Sequence, residues 1–147
     1  MKLHTILLLG ISVFSVFTDA ANHEVKMLNS GAEGFMVFEP AVVQAAVGDT
    51  ITFKATDMAH NSASIEGMIP EGANTWDGAM SQDVTVTVNK EGVYVYQCTP
   101  HSMMAMVGVI QVGGSLSNMN SILAKAASVK AGFVTNKERL DTYLGSL

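Results

Sequence analysis

The stretch Asp83-Val84-Thr85-Val86-Thr87-Val88-Asn89 alternates apolar and polar side chains, which puts its valines on one face of a strand and its threonines on the other. His23–Leu28 and Thr50–Ala55 alternate in the same way. Phe35–Phe38 and Ala41–Gln44 predict two short strands on either side of Pro40, while Gly92–Cys98, β-branched and aromatic, and Val107–Val112 predict strands of a packed core. Turn signals separate them: Gly48-Asp49, Lys90-Glu91-Gly92 and Gly113-Gly114. A turn about every ten residues points to an antiparallel sandwich or barrel.

After Gly114 the period becomes helical. Ile122, Leu123, Ala126, Ala127 and Val129 are spaced for one helix face, with Ser117 or Asn118 as the cap. Thr135-Asn136-Lys137-Glu138 reads as a capping box opening a second helix, with Leu140, Tyr143 and Leu144 inward and Gly145 at its end. Two such short helices need a surface to pack on, and the sandwich provides it. No repeat or linker divides the chain, so residues 21–147 are expected to form one domain, a sandwich over 21–114 followed by helices over 115–147.

Composition adds a compartment. Lys2, then an uncharged apolar run from Thr5 to Phe17, then Thr18-Asp19-Ala20 have the form of a signal peptide over residues 1–20. The run is about thirteen residues, short of the roughly 20 that a membrane-spanning helix needs. Export to the periplasm without membrane insertion follows. The chain of 147 residues has a net charge of -5. That charge is uneven: residues 21–114 hold ten acids against Lys26, Lys54 and Lys90. An acidic body of this kind excludes nucleic acid as a partner.

The chain has one cysteine, so an internal disulfide is impossible, and Cys98 must be buried, pairing between molecules, or holding something. It sits in Cys98-Thr99-Pro100-His101-Ser102-Met103-Met104-Ala105-Met106, a single connection between two strands. Thiolate and imidazole suit copper, and a thioether suits it as a weak, long axial donor. A trigonal site of that type needs a second imidazole. Past residue 20 the other histidines are His23, at the start of the first strand, and His60, in a polar loop after Ala55; His60 is the stronger candidate. A c-type haem would require a second cysteine, and structural zinc more thiolates or imidazoles. A hydrolytic cysteine would leave Met106 without a task. A different reading assigns Met103, Met104 and Met106 to cuprous binding in copper trafficking. Trp76 and Tyr94 read as core aromatics, and Lys90-Glu91 and Glu138-Arg139 as solvated surface.

An isolated His60-Asn61 followed some forty residues on by Cys98-Thr99-Pro100-His101 and by Met106 resembles the cupredoxins, the type 1 blue-copper proteins. The likeness extends over the chain beyond residue 20. It implies a mainly β, Greek-key sandwich of about eight strands with two C-terminal helices. It further implies one type 1 copper ion held by His60, Cys98, His101 and Met106. Asn61 corresponds to the residue that ties the two ligand loops together, and Thr99 and Pro100 to the rest of the loop. Met36, Met103, Met104 and Ala105 correspond to an apolar docking collar around His101. The implied role is electron transport by a monomer, with nitrite reductase or a cytochrome as partner, and no enzymatic turnover, since the chain has no imidazoles for a second copper centre. Ser102 stands where the family usually has an aromatic residue, and Ala105 where glycine is usual. Met58, Asp77 and Gln97 occupy a neighbourhood in which lysines are typical.

Overall fold

Burial along the strands follows the alternation of the sequence. The computed structural model describes residues 19–147, so the expected signal peptide lies outside the described residues except for Asp19 and Ala20, both exposed. In chain order the elements are β1 (Asn22–Gly31), β2 (Gly34–Glu39), β3 (Val42–Ala45), β4 (Thr50–Lys54), β5 (Ala63–Ser64), β6 (Val84–Thr87), β7 (Gly92–Gln97) and β8 (Val107–Val112). Helices α1 (Met119–Lys130) and α2 (Arg139–Leu144) follow. The first sheet has the order β2-β1-β4-β6 and the second β3-β8-β7-β5. Within them β1 runs parallel to β4, and β3 parallel to β8. The sandwich is therefore mixed rather than purely antiparallel, because the chain crosses between sheets and returns beside a strand that is not its neighbour in sequence.

Two cores result. Between the sheets lie Val25, Met27, Phe38, Ile51, Phe53, Tyr94, Tyr96, Cys98, Met106 and Ile110. On the other side of the second sheet, Val93, Val95, Val107 and Val109 pack with Ile122, Ala126, Phe133, Leu140 and Leu144. Strands β7 and β8 are thus covered on both faces, which is why they read as continuous apolar runs while β6 alternates.

The helices differ from expectation in detail. Only Ile122 and Ala126 of α1 are buried, and Leu123 is exposed. Asn118 stands at the N-cap but does not cap with its side chain; it accepts a bond from the Val93 amide at 2.8 Å and donates to the Val93 carbonyl at 2.8 Å. The side chain thereby pins α1 to β7. Thr135 makes no capping box with Glu138, because the amides of Val134 and Thr135 are drawn to the Met103 carbonyl and α2 begins only at Arg139. Leu140, Tyr143 and Leu144 face inward and Gly145 ends the helix, as expected. No helix among the described residues is long and apolar enough to cross a membrane.

The first strand is anchored by Asp49. Its carboxylate accepts the amides of Ala21 (2.8 Å) and Ala46 (2.9 Å) and pairs with His23 Nε2 (2.8 Å). The Ala46 amide, then His23, hold its carboxyl down at about 2 against an ordinary 3.8. With the folded value below the unfolded one, this stabilisation is present above the ordinary carboxylate range and is lost as pH falls toward 2. Asp49→Ala is expected to cost about 2 kcal/mol at neutral pH, since two amides lose a charged acceptor. Urea unfolding should show the difference from the parent shrinking between pH 4 and pH 2; a difference independent of pH would refute the account.

Candidate metal centre

One connection supplies three of the four sequence candidates, and its backbone explains their convergence. Cys98 and Met106 close the base of the β7–β8 loop through the bond from the Cys98 amide to the Met106 carbonyl, 2.9 Å. Inside it the His101 amide donates to the Cys98 carbonyl at 3.2 Å and the Met106 amide to the His101 carbonyl at 3.3 Å. A single 3-10 turn, Ser102–Met104, fills the remainder and ends at Ala105 in the left-handed region with φ 55°. The loop folds back on itself, so that Cys98 and His101 present their side chains to one point.

His60 reaches the same point from the β4–β5 connection. Its ring is fully buried, and Nε2 lies 2.9 Å from Asn29 Oδ1, so that nitrogen carries the proton and donates it. Nδ1 is left with its lone pair facing inward. It lies 3.1 Å from His101 Nδ1 and 3.6 Å from Cys98 Sγ, while His101 Nδ1 is 3.4 Å from the same sulfur. A point equidistant from these three corners is about 2 Å from each, the length of a first-row metal bond to imidazole or thiolate. The donor set therefore fits a metal ion without rearrangement. His60, Cys98 and His101 are the cluster of metal-binding type among the described residues. Met106 is fully buried in the same core as Cys98.

Electrostatics fit the same reading. Burial, followed by the charge of His101, lowers the pKa of His60, which keeps that imidazole neutral and its lone pair free. Burial pushes the Cys98 thiol up, opposed by the backbone amides of Asn61 and His101 that point at the sulfur. An apolar pocket alone holds a protonated thiol, and a cation at the centre displaces that proton.

Asn61 joins the two loops. Its Oδ1 accepts the Thr99 amide at 2.8 Å, and its Nδ2 donates to Thr99 Oγ1 at 3.2 Å and to the Gly78 carbonyl at 3.1 Å. Pro100 and Thr99 are exposed on the loop's outer side. Around half-buried His101, Met103 is exposed and Met36 and Met104 are partly buried. Ala105 is fully buried, which corrects its assignment to the collar: its left-handed backbone turns the methyl group into the core. His23 takes no part, being paired with Asp49.

The sequence reading missed two residues. Asn29, at the far end of β1, orients His60, and nothing in its local sequence signals that role. Arg139, read as solvated surface, is 8% exposed. The available signal was its being the only arginine in the chain and standing beside inward-facing Leu140.

Backbone strain concentrates here. Among the described residues, the non-glycine ones with positive φ are Met36, Ala59, Ser81, Ala105 and Asn136. Ala59 and Ala105 precede His60 and Met106 directly, and the Ser81 amide donates to the His60 carbonyl at 2.7 Å. Asn136 Nδ2 donates to the Met104 carbonyl at 3.2 Å. Such conformations cost on the order of 1 kcal/mol each and persist where the surroundings hold them, as around a preorganised site.

Comparison with known proteins agrees with this geometry. Residues 25–113 match the copper binding proteins of the plastocyanin/azurin family. The chain is 41% identical to the pseudoazurin of Paracoccus pantotrophus, over 87% of this chain and 85% of that one. It is 42% identical to that of Methylorubrum extorquens, over 90% and 87%. Among solved structures, the native pseudoazurin of Hyphomicrobium denitrificans superposes with a TM-score of 0.76 at 35% identity, covering 86% of this chain and 98% of that one. Buried cysteine, paired imidazoles and sandwich thus agree with the likeness along the sequence: the chain belongs to the plastocyanin/azurin family of copper proteins and, within it, to the pseudoazurins, which carry electrons on a type 1 copper ion and are not enzymes.

Proposed function

We propose that the chain shuttles one electron at a time in the periplasm, through a copper ion that His60 Nδ1, Cys98 Sγ and His101 Nδ1 would hold, with the Met106 thioether as a fourth, weaker donor. The observation that carries this reading is the triangle of donor atoms, whose edges of 3.1–3.6 Å leave room for one first-row ion. Bound copper supplies a one-electron couple that both imidazole and thiolate ligation tolerate. The protein's own contribution is to keep the donors still. Asn29 holds the ring of His60, the Asn61–Thr99 pair ties its loop to that of Cys98, and the sandwich encloses Cys98 and Met106. Small displacement of the cage between oxidation states means a small reorganisation barrier.

His101 is the half-exposed member of the set, and it offers the route to a partner. The apolar side chains of Met36, Met103 and Met104 beside Pro100 provide a small patch suited to a transient complex. Family likeness supports nitrite reductase or a cytochrome as the partner. The signal peptide expected over residues 1–20 supports the periplasm. The experiment is the optical and paramagnetic resonance spectrum of the oxidised copper-loaded protein, in which an intense visible thiolate band is expected; a colourless copper complex would defeat the proposal.

The charge of the body bears on partner choice. With ten acids against three lysines over residues 21–114, long-range attraction favours a partner with a basic docking rim. Stopped-flow oxidation of the reduced protein by a basic cytochrome should slow about tenfold between 0.02 M and 0.2 M salt. An increase in rate with salt would show that the acidic body opposes docking.

A further inference from the structure

Arg139 begins α2, 34 positions beyond Ala105, yet its guanidinium is buried beneath the Cys98–Met106 loop. Nη1 donates to the Met36 carbonyl at 2.9 Å and to the Ala105 carbonyl at 3.1 Å, with the Met104 carbonyl at 3.5 Å. Nη2 donates to the carbonyls of Glu33 and Phe35, both at 3.3 Å. Beside it the Tyr143 hydroxyl donates to the Glu33 carboxylate, so α2 grips the β1–β2 turn twice. Arg139 makes no ion pair with a carboxylate among the described residues. Its charge is met by carbonyl dipoles, drawn from the β1–β2 turn and the start of β2 and from the two residues before Met106.

Two of those carbonyls belong to residues in the left-handed region, Met36 with φ 51° and Ala105 with φ 55°. Both converge on the same nitrogen. A planar fork with two donors on each terminal nitrogen can hold several carbonyls in one fixed geometry, whereas an ammonium offers three donors on a flexible stem. The left-handed turn at Ala105 determines where the chain re-enters β8, and hence where Met106 stands relative to Cys98, His60 and His101.

We propose that Arg139 is a positioning residue for the copper centre: through the Ala105 and Met36 carbonyls it holds in place the backbone that carries Met106 and joins the collar residue Met36 to the same clamp. The proposal rests on the ligand set given above. A weaker clamp lets Ala105 relax toward ordinary φ and moves the thioether, which would alter its share in holding a copper ion and with it the potential.

The test uses the full chain with Arg139→Lys, which keeps the charge and loses the fork, and Arg139→Met, which keeps the apolar stem and loses both. Amide hydrogen exchange on the metal-free proteins is expected to quicken at least tenfold at Ala105 and Met106 in Arg139→Lys, while Val93–Val95 stay protected. After copper loading, both variants should bind one ion and keep the thiolate band, with a changed ratio of the visible bands, an altered paramagnetic resonance spectrum and a shifted reduction potential. Arg139→Met should shift further than Arg139→Lys. Should Arg139→Met fail to fold, Arg139→Lys carries the test alone. A blue parent with variants that match its spectrum and potential overturns the role of Arg139 and leaves the ligand set standing. A parent without the thiolate band overturns both.

Discussion

Cys98→Ser is expected to yield a folded, colourless protein whose affinity for copper is lower by more than about 100-fold. The sulfur is one corner of the donor triangle, 3.4 Å and 3.6 Å from the two imidazole nitrogens, and the only anionic one once its proton has left. A serine hydroxyl is a harder donor with a far higher pKa, so the ion meets two neutral imidazoles and a neutral oxygen. The visible band, which arises from the thiolate, disappears with it. Burial is unchanged, and Cys98 makes no disulfide, so the sandwich should survive and the loss is one of chemistry. Titration with cupric ion followed by optical spectroscopy, with circular dichroism to verify the fold, measures both parts. Retention of cuprous binding in Cys98→Ser, with its loss on removal of Met103 and Met104, would instead favour copper trafficking on the methionine-rich loop.

Gly108→Ala is expected to be the most damaging small substitution in the sandwich, at about 3 kcal/mol or failure to fold. A Cβ at position 108 would stand 2.3 Å from both Cζ and Oη of Tyr96 and 2.7 Å from Cε2. The ring cannot retreat, since its centroid lies 4.8 Å from those of Phe38 and Phe53, both edge-on, with Trp76 beyond at 6.2 Å. Tyr96 stands two residues before Cys98 and is buried in the same core, so displacement of the ring is felt at the sulfur. The Tyr96 hydroxyl finds no hydrogen-bond partner among the described residues and burial pushes its pKa above the ordinary tyrosine range. Tyr96→Phe should therefore raise stability by about 1 kcal/mol, the reverse of a usual core truncation. Urea unfolding of both variants decides the matter; parental stability in Gly108→Ala would mean that the ring does not occupy the seat described.

Much of the architecture was legible because strand periodicity is a local property. Every strand from β1 to β8 except β5 appears in the sequence as alternation or as an apolar run between turn residues. The two-residue β5 is too short to leave a period, and its pairing with β7 sets Ala63 opposite Gln97, across more than thirty positions of chain. Helix caps were less legible. Asn118 and Thr135 have the chemistry of caps, but nearer backbone groups on β7 and on the Met103 turn compete for them.

The proposed donors were identifiable for a related reason. Cys98, His101 and Met106 are tied by one short loop, so their spacing nearly determines their geometry, and the choice of His60 over His23 needed only the polar loop around it. What holds those donors did not appear, because Asn29 and Arg139 lie on other elements and their neighbours in sequence say nothing of the site. The amino-acid order by itself determined the strands, the helices and the soft-donor loop, since each depends on residues a few positions apart. Only the tertiary structure decided that a lone arginine on the last helix is buried beneath the copper loop and that Asn29 orients His60, because a buried cation or a ring tautomer is set by groups that meet in space across more than thirty positions of chain.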